Sequence, residues 1–69
     1  MEIIAGKTYW NGGGRRYFIV GPTKDYPHIL YSRQGDWFEA KTGRFVGGLT
    51  LKPSDEPSWR DLWSEAAPE

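Results

Sequence analysis

Apolar and polar positions alternate in short runs along this chain, and turn residues interrupt them about every 8–12 residues. That rhythm predicts short antiparallel strands. Lys7-Thr8-Tyr9-Trp10 reads as the first, rich in β-formers. Asn11-Gly12-Gly13-Gly14 closes a hairpin, because these residues accept the positive φ angles of tight turns. Residues 15–20 form the second strand, and Gly21-Pro22 ends it, since proline has no ladder donor. A loop over 23–27 leads to a third strand at 28–32, and Arg33-Gln34-Gly35-Asp36 turns into a fourth at 37–40. Lys41-Thr42-Gly43 turns again into Arg44-Phe45-Val46. Gly47-Gly48 marks a bulge or bend before Leu49-Thr50-Leu51, a last short strand.

The pattern then changes period. Pro53 and Pro57 bracket Ser54, Asp55 and Glu56, residues that favour helix starts. Ser58 with Asp61 three residues on forms a weak capping box, Asp standing where Glu or Gln is preferred. Trp59, Leu62, Trp63 and Ala66 fall at i, i+3, i+4 and i+7, a single apolar stripe that predicts an α-helix over 59–66. Pro68 stops it. Two helical turns are not stable alone. The stripe must therefore bury Trp59 and Trp63 against the sheet or, as an oligomerisation surface, against a second copy of the chain.

No connection is long enough for a βαβ crossover, so the sheet is antiparallel. The expected fold is mainly β: a small SH3-like barrel or curled sheet of about five strands, with one short C-terminal α-helix. Residues 1–53 would form the barrel body and residues 54–69 an acidic helix and tail of the same domain.

Sixty-nine residues make one domain. A chain of this size buries only about 60% of its unfolded surface, so its core needs reinforcement. The absence of cysteine removes disulfides, thiolate metal sites and cysteine nucleophiles. Eleven aromatic residues are the available reinforcement, each able to bury about 150–250 Å². Self-association is the other route. The first six residues carry neither a basic region nor a long apolar run, and nothing approaches a membrane span, so a cytoplasmic protein is expected. Net charge is zero, but it is unevenly placed. Residues 1–53 hold eight basic and four acidic side chains, a net of +4; residues 54–69 hold one and five, a net of −4. This describes a basic body with an acidic end.

Candidate chemistry is sparse. Gly6-Lys7-Thr8 resembles the end of a phosphate-binding loop, but Met1 stands where that loop needs its first glycine. His28 is the single histidine and has no set of metal ligands around it in sequence. Asp36 and Glu39 would need a cleft of defined width to act as a carboxylate pair. No catalytic constellation, cofactor or metal is expected. Aromatic and arginine side chains are the usual anchors of protein interfaces, which marks Tyr31, Arg33, Trp37 and Arg44 as a face for a protein partner. The alternative is capture of a nucleotide or short nucleic acid by an oligomer. There the Gly12-Gly13-Gly14 turn would offer backbone N–H groups, and Arg15, Arg16 and Tyr17 would add charge and stacking.

Gly6-Lys7-Thr8-Tyr9, a glycine turn, Gly21-Pro22, Trp37, Thr42-Gly43-Arg44-Phe45, Gly47-Gly48 and Asp61-Leu62 together resemble short SH3-like barrel proteins encoded by bacteriophages and prophages. The likeness runs from Gly6 to about Leu62. It implies a phage-derived cytoplasmic protein of largely unassigned function, and the leading expectation is a non-enzymatic phage or prophage accessory module that engages a host protein. It carries over no catalytic residue.

Overall fold

The computed structural model describes residues 1–53 and 56–68; Ser54, Asp55 and Glu69, and the helix-start role expected of the first two, lie outside it. Among the described residues six strands form: β1 (Thr8–Asn11), β2 (Arg16–Pro22), β3 (Ile29–Ser32), β4 (Trp37–Glu39), β5 (Phe45–Val46) and β6 (Leu62–Ala66). All pairings are antiparallel, in the order β5-β4-β3-β2-β1-β6. Strands β1 to β5 make a meander of consecutive neighbours. The chain then returns to lay β6 along the free side of β1.

The sheet curls because β2 serves two partners. Arg16 to Phe18 pair with β1, whereas Ile19, Gly21 and Pro22 pair with β3, and the register shifts between Ile19 and Gly21. Val20 is left unpaired at this bulge, and a bulge bends its strand. Gly21-Pro22, expected to end the strand, instead belongs to its second half.

The curl closes on one side chain cluster: Ile3, Tyr9, Tyr17, Ile19, Leu30, Phe38 and Leu62, with Ala40 and Phe45 packed against it. Register explains part of it, since Leu30 pairs with Phe38 and Phe38 with Phe45, which places all three on the inner face. Tyr17 and Phe45 meet the Phe38 ring edge-on, at centroid distances of 5.3 and 6.1 Å. Fully burying a side chain such as Phe38 contributes about 1.5–3 kcal/mol. The two ends of the half-barrel meet at Gly43, whose carbonyl accepts from Leu62 N–H at 2.8 Å. A Cβ there would lie 2.8 Å from the Leu62 carbonyl oxygen, and φ is +77°, so glycine is required twice over.

The expected C-terminal helix does not form. Residues 62–66 are strand β6, and residues 58–61 make one turn before it. Leu62 and Ala66, four apart, share a face in either a helix or a strand, so they could not discriminate; Trp63 does. A helix would have buried it, whereas Trp63 is 65% exposed and Trp59 59% exposed. Two helical turns have little intrinsic stability, and the open side of β1 offers a full ladder instead. Half of the capping box forms: Ser58 N–H donates to Asp61 Oδ2 at 2.9 Å, but Ser58 Oγ accepts from Arg60 N–H, at 3.2 Å, and not from Asp61. Asp61 Oδ1, however, accepts from Phe45 N–H at 2.8 Å, and this bond to β5 directs the chain into a strand. The split into a 1–53 body and a C-terminal appendage is therefore corrected, because β6 is part of the sheet. Leu49-Thr50-Leu51 is likewise a turn and not a strand: Leu51 N–H bonds back to the Gly47 carbonyl, Leu51 has φ +58°, and Leu49 is fully exposed.

Candidate functional site

Three connections meet at one end of the half-barrel: the β1–β2 turn, the β3–β4 turn and the turn at 58–61. Asn11 organises the first. Its Oδ1 accepts from Gly13 N–H and Arg15 N–H, both at 2.9 Å, and its carbonyl accepts from the Trp63 indole Nε1–H at 3.0 Å. This is an Asx-type turn held from inside, with Asn11 itself buried. Gly12 N–H donates to the Trp59 carbonyl at 2.7 Å, which ties in the third connection. In the second, Arg33 N–H donates to the Phe18 carbonyl at 2.9 Å and Gln34 Oε1 accepts from Phe18 N–H at 3.2 Å. These bonds lay residues 33 and 34 along β2.

Arginine and aromatic side chains then fall together. The Arg33 guanidinium lies 4.3 Å over the Phe18 ring, and that of Arg16 lies 5.3 Å over Trp10. Arg60 sits against two rings, Phe45 at 5.1 Å and Trp59 at 5.2 Å. Stacked in this way a guanidinium packs its flat face and directs its N–H donors outward from the ring edge. A concavity of about 440 Å³ is lined by Trp10, Arg15, Arg16, Tyr17, Gln34 and Asp36. Arg15, Tyr17 and Asp36 also line a neighbouring concavity of about 190 Å³, with Phe45, Trp59 and Arg60. Through Gln34 the first concavity adjoins a third, of about 320 Å³, which includes Phe18 and Arg33. These three adjoining concavities, together the arginine and aromatic groove, are lined by four of the chain's five arginines.

Two carboxylates belong to this groove. Glu65, at its far end, is held 3.2 Å from Lys7 Nζ. Asp36, in the middle, lines the same concavity as Tyr17. Burial first, and then the neighbouring Asp36 carboxylate as acceptor and as charge, push the Tyr17 hydroxyl above the usual tyrosine value, while Arg15 and Arg60 pull it the other way.

The residues expected to face a protein partner are only partly brought together. Tyr31 and Trp37 are cross-strand neighbours, Trp37 pairs with Val46, and Arg44 is two residues before Val46. These three therefore share the outer face of β3–β4–β5. Tyr31 is exposed there, while Trp37 and Arg44 are half-buried and Arg44 Nη2 is buried with no acceptor. Arg33 is elsewhere, over Phe18. The trio Arg15, Arg16 and Tyr17 does surround one concavity, but the backbone donors expected of the glycine turn are spent. Gly12 N–H goes to Trp59, Gly13 and Arg15 N–H to Asn11 Oδ1, and Gly14 N–H to the Asn11 carbonyl. Gly12 and Gly13 serve Trp59 instead: a Cβ at either would come within 3.0 Å of it.

Sequence reasoning did not single out Phe18, Gln34, Phe45 or Arg60 for the groove. Only alternation along β2 hinted at Phe18; Gln34 and Arg60 arrive through turns, and Phe45 comes from β5. His28 is exposed and meets the Tyr26 ring edge-on at 6.3 Å. Asp36 and Glu39 do not pair; Glu39 Oε1 accepts from the Thr42 hydroxyl at 2.6 Å. Among the described residues no group of three or more His, Cys, Asp or Glu is placed to hold a metal, and no helix is long and apolar enough to cross a membrane. Comparison with protein-family models, curated proteins and solved structures finds no match.

Proposed function

We propose that this protein is a small non-enzymatic binding module that grips an acidic segment of a partner protein in the arginine and aromatic groove. The observation that carries this reading is the set of guanidinium groups already stacked on Phe18, Trp10, Phe45 and Trp59. Side chains held in place before binding lose little entropy when they bind, and arginine and tryptophan are the usual anchors of protein interfaces. Asp36 supports a peptide over a nucleic-acid strand. It sets a negative charge mid-groove, unfavourable to a continuous phosphate backbone but able to accept a backbone N–H or a lysine. The spent donors of the glycine turn also weigh against a phosphate cradle. The strand order, with a kinked β2 shared between the two halves, supports an SH3-like barrel. Taken with the resemblance to phage- and prophage-encoded barrels, the partner is a host protein.

A randomised dodecapeptide library panned on the intact protein tests this, with tryptophan fluorescence as the binding readout for selected peptides. The expected result is enrichment of Asp and Glu, with binding weakened by salt and lost in the Arg15→Glu, Arg60→Glu double variant. Binding of an oligothymidylate with no peptide enriched would instead establish the nucleic-acid alternative. Enrichment of neutral peptides indifferent to both arginines would overturn the groove as the site.

A further inference from the structure

An undersized core would be expected to take in its largest side chains, yet none of the four tryptophans is in it. Trp10 and Trp37 are half-buried, and Trp59 and Trp63 are exposed. Trp63 is exposed for a structural reason. Trp10 pairs with Ser64 and Asn11 with Leu62, so Trp63 is the unopposed residue of a bulge in β6. Its ring is nevertheless pinned, because its Nε1–H donates to the Asn11 carbonyl at 3.0 Å. With Trp10, Gly12, Gly14, Ser64 and Glu65 it lines a cleft of about 410 Å³. An indole fixed in place and left in water is a surface prepared for contact.

We infer that this cleft is the interface of a homodimer. Charge across it identifies the occupant. Glu65 lies on the β6 side, while Trp10 and Gly14 also border the concavity that holds Arg15 and Arg16 on the other side. Acid on one side of Trp10 and Gly14 and arginine on the other is a charge pattern self-complementary about a twofold axis near those two residues. Such an axis places Glu65 of each copy against the arginines of the other, twice, as an isologous contact requires. A standard interface takes about 800 Å² from each partner, roughly a sixth of the 4666 Å² of this surface. Self-association also supplies the reinforcement that a chain without disulfides needs. The contact takes up Trp10, Arg15 and Arg16 of the arginine groove and leaves its Arg60–Phe45 end open, so Arg60→Glu alone separates peptide binding from dimerisation.

Sedimentation equilibrium of the full chain from micromolar to submillimolar concentration is the test. A monomer–dimer equilibrium is expected, with Trp63→Gln shifting it to monomer while the far-UV circular dichroism stays unchanged. Glu65→Arg and Arg15→Glu should each weaken dimerisation about tenfold or more, and the two together should restore it. A monomer at every concentration overturns the inference, as does a dimer indifferent to Trp63→Gln or a double charge reversal that fails to restore association. A monomer whose tryptophan fluorescence responds to a proline decapeptide, and loses that response in Trp63→Gln, would give the cleft to an extended ligand and equally overturn it.

Discussion

Gly12 and Trp59, 47 positions apart in the chain, are held in backbone contact: the Gly12 N–H donates to the Trp59 carbonyl at 2.7 Å, and a Cβ on residue 12 would stand 3.0 Å from that oxygen. Gly12→Ala is therefore expected to destabilise the fold by about 1–3 kcal/mol, because two backbone segments must separate. Gly13→Ala meets the Trp59 ring and not its backbone, and a ring can swing aside, so a smaller loss is expected. Urea melts of the two variants check the order; equal costs would mean that the Trp59 segment is not fixed against the turn.

Asn11 is the second strut of the same turn. Asn11→Ala leaves the Gly13 and Arg15 N–H groups without their acceptor, and an unsatisfied part-buried donor costs about 1–3 kcal/mol. Hydrogen exchange gives the specific readout: the amides of Gly13 and Arg15 should exchange faster even where global stability is restored by an osmolyte.

Asp61 joins the last turn to β5 through both carboxylate oxygens, one on Phe45 N–H and one on Ser58 N–H. Asp61→Ala should cost about 2–3 kcal/mol, as charge-assisted bonds are the stronger kind. The loss should appear as a lower denaturation midpoint with an unchanged slope, since the same surface is exposed on unfolding.

The short strands and their turns were legible in the sequence because alternation and turn chemistry are local. Tyr17, Ile19, Leu30 and Phe38 follow from it. The end of the chain was not, since Leu62 and Ala66 satisfy a helical and an extended period alike and only the open side of β1, contributed from residue 8 onward, decides between them. The groove was legible in composition but not in membership. Arg15, Arg16 and Tyr17 meet at the mouth of one hairpin, whereas Arg33 leaves its expected face because residues 33 and 34 bond to Phe18. Arg60 arrives only through the Asp61 bond to β5. Those are contacts between turns, and no periodicity encodes them.

Tyr17 makes stability fall in alkali. Burial first, and the neighbouring Asp36 carboxylate second, hold its hydroxyl above the usual value of about 10, so the unfolded chain releases this proton before the folded one does. Below that value both states keep the proton and the contribution is intact. As pH rises from the unfolded value towards the folded one, stability is lost. Tyr17→Phe should flatten this part of the alkaline decline in thermal melts. An unchanged alkaline slope would assign the decline to other groups.

Proline scanning separates a strand from a helix at the C-terminal end. The Lys7 carbonyl accepts from Ile19 N–H, and Asn11 N–H donates to the Arg15 carbonyl. Odd positions of β1 therefore turn their polar groups to β2, and Thr8 and Trp10 turn theirs to β6. Ser64 stands opposite Trp10, so its N–H lies in the ladder, while that of Glu65 points away from β1. Ser64→Pro should cost about 3 kcal/mol or more, enough to unfold much of a domain this small, and Glu65→Pro should be tolerated with a far smaller loss. In a helix over 59–66 both prolines would break the same run of bonds and cost alike. A large gap between the two melting temperatures is the signature of β6, and equal losses would contradict the strand.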